Sequence, residues 1–110
     1  MDNVVARLMR YAKVWSESDY HANRGTTPST DRQFDMARLL VEELHGMGVD
    51  NAFVDDTCYV YASLPATPGC EHLPVIGLIA HMDTTPDMTG KDVKPQILHY
   101  DGGDLMLNPE

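Results

Sequence analysis

The fold prediction starts from a continuously apolar stretch, VIGLIA at residues 75–80, followed directly by HMDTTPD at residues 81–87. Pro74 precedes the apolar run and His81 ends it, so the run has the length of one strand. Uninterrupted apolar runs of this length are typical of strands covered on both faces, as at the centre of an α/β sheet. We therefore expect residues 75–80 to form a buried central strand.

A first helix is predicted near the start of the chain. Apolar residues recur at spacings of three and four from Val4 to Trp15, which is the pattern of an amphipathic helix. Asp2 or Asn3 is the expected N-cap, since a short polar side chain there can accept a hydrogen bond from a free helical N–H.

A second helix is predicted to begin after Ser29 or Thr30. Thr30 and Gln33 have the spacing of a capping box, and an apolar stripe continues from there to Met47. Gly48 follows the stripe, as expected for a C-terminal cap.

Short β-prone runs at residues 52–54 and 59–62 flank a polar turn and predict an antiparallel hairpin. Residues 96–99 are a candidate for one more short strand. The predicted fold class is therefore α/β, one domain over residues 1–110, in which two N-terminal helices pack on a small mixed β-sheet.

Composition excludes several classes of protein. The chain has 110 residues, and 8 Lys and Arg against 17 Asp and Glu give a net charge of −9, which disfavours nucleic acid and anionic membrane surfaces as partners. Its apolar runs fall short of the roughly 18 residues of a membrane span. Two cysteines without a Cys-x-x-Cys spacing indicate ordinary thiols, and the N-terminus lacks the features of a signal peptide, so we expect a cytoplasmic protein.

The candidate chemistry lies where the predicted central strand ends. His81 and Asp83 are two residues apart, so in an extended chain their side chains point the same way. An imidazole that binds a metal through one ring nitrogen is commonly held by a carboxylate at the other. The spacing therefore predicts His81 as a metal ligand and Asp83 as the residue that orients it.

Two alternatives stay open at this point. His-x-Asp is a weak motif by itself, and His99 and Asp101 repeat it beside a Gly-Gly loop with only a weak strand before it. His81 is also compatible with a purely structural role, capping a strand end and hydrogen bonded to Asp83.

The stretch at residues 75–87 resembles the first metal-binding motif of the peptidase T family, tripeptide aminopeptidases within the large group of two-zinc amino- and carboxypeptidases. Further similarity to the family runs in order from near residue 1 to near residue 107. The matching motifs are PST with Gln33 at residues 28–33, ASLPA at 62–66, GKDV at 90–93, PQI at 95–97 and YDGGD at 100–104.

The resemblance implies a zinc-dependent hydrolase that releases the N-terminal residue of a tripeptide. It assigns His81 to one zinc and gives Asp83 the role of orienting His81 and supporting catalysis. The other ligands of the two zincs, the Glu that activates water and a dimerising lid domain lie further along the family's sequence, so the 110 residues correspond to an incomplete catalytic domain.

From this we expect the isolated chain to be inactive, with weak metal affinity, since a catalytic zinc needs about three protein ligands. The alternative is a non-catalytic module that binds a partner or a second copy of itself through exposed sheet edges.

Overall fold

The computed structural model describes residues 4–22 and 25–106. Its elements, in chain order, are helix α1 (Val4–Tyr11), helix α2 (Gln33–Gly46), strand β1 (Phe53–Val54) and strand β2 (Val60–Tyr61). The mixed α/β class is confirmed. The N-caps expected at Asp2 or Asn3 lie outside the described residues.

Helix α1 is shorter than the periodicity predicted. It ends at Tyr11, and the next turn is tightened, because the Lys13 and Val14 amides donate to carbonyls three residues back, those of Arg10 and Tyr11. Trp15 therefore lies beyond the helix, in a segment that contacts a distant part of the chain.

The predicted capping box of α2 is wrong, whereas its C-terminal cap is confirmed. Thr30 and Gln33 do meet, with Gln33 Nε2 3.2 Å from Thr30 Oγ1, but Arg32 occupies the N-cap position without a side-chain cap. At the other end Gly48 has φ +85°, and the Gly48 and Val49 amides donate to the carbonyls of His45 and Leu44. This is a Schellman motif, which requires the left-handed conformation that glycine adopts readily.

The predicted hairpin is confirmed as β1 and β2, which pair antiparallel with Phe53 opposite Tyr61. Their rings stack with centroids 5.3 Å apart. Asp55 holds the turn: its Oδ1 accepts hydrogen bonds from the amides of Thr57 (3.0 Å) and Tyr59 (2.8 Å). These hydrogen bonds lower the pKa of the Asp55 carboxyl, and the bond from the Tyr59 amide has the largest effect.

Helix α2 packs against both strands, and α1 is held to α2 by charge. Glu43 of α2 accepts a 2.6 Å hydrogen bond from the Tyr11 hydroxyl and pairs with the guanidinium groups of Arg7 and Arg10. The buried apolar residues of the described chain are few: Met36, Ala37, Ala52 and Cys58.

The expectation of a buried central strand at residues 75–80 is wrong for this chain. Val75, Ile76, Leu78 and Ile79 are 85–101% exposed, and the segment forms no strand. The apolar run indicates that the segment must be covered, but β1 and β2 pair only with each other in the described residues. The sheet is consequently two-stranded and antiparallel, not mixed, and residues 96–99 add no strand to it.

Among the described residues, neither helix could cross a bilayer. The longer, α2, has 14 residues and spans about 21 Å, against a hydrocarbon core of about 30 Å.

Candidate functional site

The segment that carries His81 and Asp83 is held by an isolated parallel bridge between Glu17 and Thr84. The Ser18 amide donates to the Thr84 carbonyl over 2.9 Å, and the Thr84 amide donates to the Ser16 carbonyl over 3.3 Å. Ser16 is fully buried, and its hydroxyl donates to the Met82 carbonyl over 3.1 Å. Residues 82–84 are therefore fixed against the segment that follows α1.

His81 and Asp83 lie together, as their spacing predicts. His81 Nδ1 is 3.0 Å from the Asp83 carbonyl oxygen and 3.3 Å from Asp83 Oδ1. Both partners are acceptors, so Nδ1 is the donor, and in the neutral ring the lone pair is on Nε2. The His81 side chain is 86% exposed. Nε2 is the nitrogen that a metal would take, as in a histidine ligand held by a carboxylate.

A complete zinc centre is not assembled by the residues that the structure describes. They contain no group of three or more His, Cys, Asp or Glu side chains able to hold a metal ion. His81 fits the part of a single ligand with its supporting carboxylate, but a catalytic zinc needs about three protein ligands. The roles of His81 and Asp83 stay predictions, and no catalytic step follows from this chain alone.

The second His-x-Asp pair differs in how it is held. His99 Nε2 lies 2.9 Å from Asp101 Oδ1, with the two side chains 87% and 83% exposed. The Asp83 side chain is 37% exposed, less than half as much. The two histidines are equally exposed, so the pairs differ in the aspartate and in the bridge that fixes residues 82–84. The pair at His99 is therefore the less constrained candidate for metal binding.

A polar cluster that the sequence did not suggest lies just beyond Asp83. The Tyr20 hydroxyl is 2.8 Å from Thr85 Oγ1 and 3.0 Å from Asp87 Oδ2, and Thr85 Oγ1 donates to Asp87 over 2.6 Å. Hydrogen bonds from Thr85 and Tyr20 lower the pKa of Asp87, and the bond from Thr85 has the larger effect. Asp87 thus contacts Thr85 within its own turn and joins that turn to Tyr20.

A groove of about 880 Å³ lies beside the site. Its walls include Leu40 and Leu44 of α2, Tyr59 and Tyr61 of the hairpin, and residues 78–83. The groove therefore separates the edge of β2 from the exposed apolar segment.

Comparison with known proteins finds close relatives of this chain. No family model matches the chain. Peptidase T of Alkaliphilus oremlandii (strain OhILAs) is 49% identical over 112 residues, covering 100% of this chain and 27% of that protein. Peptidase T of Geobacillus kaustophilus (strain HTA426) is 49% identical over 108 residues, covering 97% and 26%. Peptidase T of Clostridium acetobutylicum is 43% identical over 111 residues, covering 100% and 26%.

The chain spans about a quarter of the length of the curated relatives it matches. Identity of 43–49% along the whole chain confirms the resemblance drawn from the motifs at residues 28–33 and 75–104. This chain is therefore a homologue of peptidase T, matched to the N-terminal portion of that family.

Proposed function

We propose that this chain is the N-terminal part of a zinc-dependent aminopeptidase that acts on tripeptides in the cytoplasm, with His81 as one zinc ligand. The observation that carries the proposal is the His81–Asp83 pair, in which Nδ1 donates to Asp83 and the His81 side chain is exposed. The pair lies in a chain 43–49% identical to peptidase T.

The residues of this chain contribute binding and orientation. Asp83 fixes the His81 tautomer and makes Nε2 a better ligand. The bridge from Ser16 and Ser18 to Thr84 limits how far both residues move. Zinc, when bound by a complete ligand set, lowers the pKa of a water molecule and so supplies the nucleophile for peptide hydrolysis.

A chimera tests this function. The 110 residues would replace the matching segment of the Alkaliphilus oremlandii peptidase T, and tripeptide hydrolysis would be followed with zinc present. We expect an active chimera that loses activity with His81→Ala. His99→Ala is the matched control, since it removes the other histidine that pairs with an aspartate two residues on. An active His81→Ala chimera would remove His81 from the ligand set.

The isolated chain is expected to hydrolyse no tripeptide, because the described residues hold no group of three metal ligands. Release of the N-terminal residue by the purified chain with added zinc would contradict this. Removal of zinc by a chelator would show whether any such activity depends on the metal.

A second candidate function, self-association, is favoured by the exposure of Val75, Ile76, Leu78 and Ile79. Exposed apolar patches of this kind are typical of interaction surfaces. The groove beside β2 offers a second copy an apolar wall and an unpaired strand edge.

Light scattering at tens of micromolar tests self-association. We expect oligomers for the wild type and monomers for Ile76→Lys, which places a charge in the exposed run. Leu64→Lys is the control, because Leu64 is 79% exposed but lies outside that run. A monomeric wild type at this concentration would count against a self-associating module.

A further inference from the structure

We propose that Glu17 is a positioning residue, which closes the loop of residues 84–90 and thereby holds the His81–Asp83 pair in place. The link to catalysis rests on the proposed function. The loop closure itself rests only on contacts within this chain.

The Glu17 carboxylate contacts the far end of the loop. Its Oε2 accepts a 2.9 Å hydrogen bond from the Gly90 amide and a 3.2 Å hydrogen bond from Trp15 Nε1. Arg32 lies 3.8 Å from Oε1, and the Glu17 side chain is 14% exposed. These donors lower the pKa of Glu17, and the Gly90 amide has the largest effect. The carboxylate is therefore charged at neutral pH.

The backbone around Glu17 contacts the near end of the same loop. Ser16 and Ser18, on either side of Glu17, exchange hydrogen bonds with Thr84. Since Thr84 follows Asp83 directly, one short segment fixes the chain beside the His81–Asp83 pair and again six residues later. A loop closed at both ends has fewer conformations, which restricts the residues at its start.

Glu17 also connects the loop to α2. Its carbonyl oxygen accepts hydrogen bonds from Thr30 Oγ1 over 2.8 Å and from Arg32 Nε over 2.7 Å. The Arg32 guanidinium in turn lies 4.1 Å from the centroid of the Trp15 ring, and Lys91 lies 5.4 Å from it. The loop is thus connected to the residues before α2 through the Glu17 backbone carbonyl, the Glu17 carboxylate and the Trp15 indole.

The closure is tight. A Cβ at Gly90 would lie 3.0 Å from Thr84 Oγ1, 3.7 Å from Trp15 Cδ1 and 4.0 Å from Glu17 Oε2. The two ends of the loop therefore touch where Glu17 joins them, and glycine is the residue that fits.

A carboxylate suits this position better than an amide of the same shape. One oxygen of Glu17 accepts from two N–H donors while the other faces a guanidinium. Gln would keep an acceptor for Gly90 but would direct its NH₂ group toward Arg32. Glu17→Gln should therefore weaken the closure, and Glu17→Ala should remove it.

Amide hydrogen exchange of the 110-residue chain, measured by NMR, tests the closure. We expect Glu17→Ala to speed exchange of the Gly90 amide by about tenfold, the effect of losing one hydrogen bond to a charged group. Exchange of the Thr84 amide, which donates to the Ser16 carbonyl, should rise by less, because its own acceptor is kept. Glu17→Gln should have a smaller effect. Glu42→Ala is the control, since it removes an exposed glutamate of α2, and the Ala37 amide reports on α2 itself.

Positioning is read from the His81 ring. In Glu17→Ala we expect the ¹⁵N shifts of His81 to lose the Nδ1–H tautomer while Ala37 exchange stays unchanged. Unchanged Gly90 exchange, an unchanged His81 tautomer, or an equal rise of exchange along α2 would each overturn the proposal. Zinc titration of the wild type separates the two proposals. If zinc leaves the His81 signals unmoved and the His81→Ala chimera stays active, the proposed function fails, whereas the closure is still decided by the exchange rates.

Discussion

Gly90→Ala is expected to open the loop that follows the His81–Asp83 pair. The added methyl group would lie 3.0 Å from Thr84 Oγ1 and 3.7 Å from Trp15 Cδ1, closer to the hydroxyl than side chains normally approach. Either the Thr84 side chain rotates or the loop moves away from Trp15. Both responses weaken the contact at which the loop closes.

The expected magnitude combines two opposing effects. Overpacking costs about 1–3 kcal/mol, and the lower end applies here because the exposed Thr84 side chain can rotate. Replacing glycine with alanine stabilises by about 0.4–1 kcal/mol through the unfolded chain. The net destabilisation of the closed loop is therefore at most about 0.6 kcal/mol. Relative to a glycine-to-alanine change at an unstrained site, the difference is about 1 kcal/mol, or about a fivefold shift toward the open form.

Gly77→Ala is the matched control. A Cβ at Gly77 has nothing within 4 Å, and its φ is outside the left-handed region, so this variant should lose no stability. The assay is urea unfolding followed by the fluorescence of Trp15, the only tryptophan of the chain, together with exchange of the Thr84 amide. Adding Thr84→Ala to Gly90→Ala should restore most of the loss. If Gly90→Ala behaves like Gly77→Ala, the close approach at Gly90 is refuted.

Three further outcomes are expected. Tyr11→Phe should weaken the docking of α1 by about 1 kcal/mol, because it removes the 2.6 Å hydrogen bond to Glu43; urea unfolding followed by helical circular dichroism checks this. The same hydrogen bond lowers the pKa of Glu43, so its contribution to stability is present at neutral pH and is lost as the pH falls through that lowered pKa; an acid titration should show a smaller loss for Glu43→Gln than for the wild type. Burial raises the pKa of Cys58, so iodoacetamide should modify Cys58 more slowly than Cys70, and equal rates by mass spectrometry would contradict this.

Elements specified by local signals could be predicted from the sequence. The apolar spacing and Gly48 locate α2, and the β-prone runs around Asp55 locate the hairpin, because each depends on residues close in the chain. The exposure of residues 75–80 could not be predicted in the same way. An apolar run specifies that a strand needs cover, but the cover comes from elements far away in sequence.

The same distinction holds at the candidate site. His81 and Asp83 meet because their side chains are two residues apart in extended chain. Glu17 lies in a Ser-rich loop and has no local pattern, and its contact with Gly90 joins residues 73 positions apart. No signal in a single sequence indicates a pairing of that kind.

We propose His81, oriented by Asp83, as the metal ligand of this chain. Zinc titration followed by NMR of the five histidine rings, with the wild type and His81→Ala compared, tests it most directly. We expect the His81 ring to respond at the lowest zinc concentration, and this response to be absent in His81→Ala while His99 responds as before. Simultaneous response of all five rings, or a first response at His99, would contradict the claim.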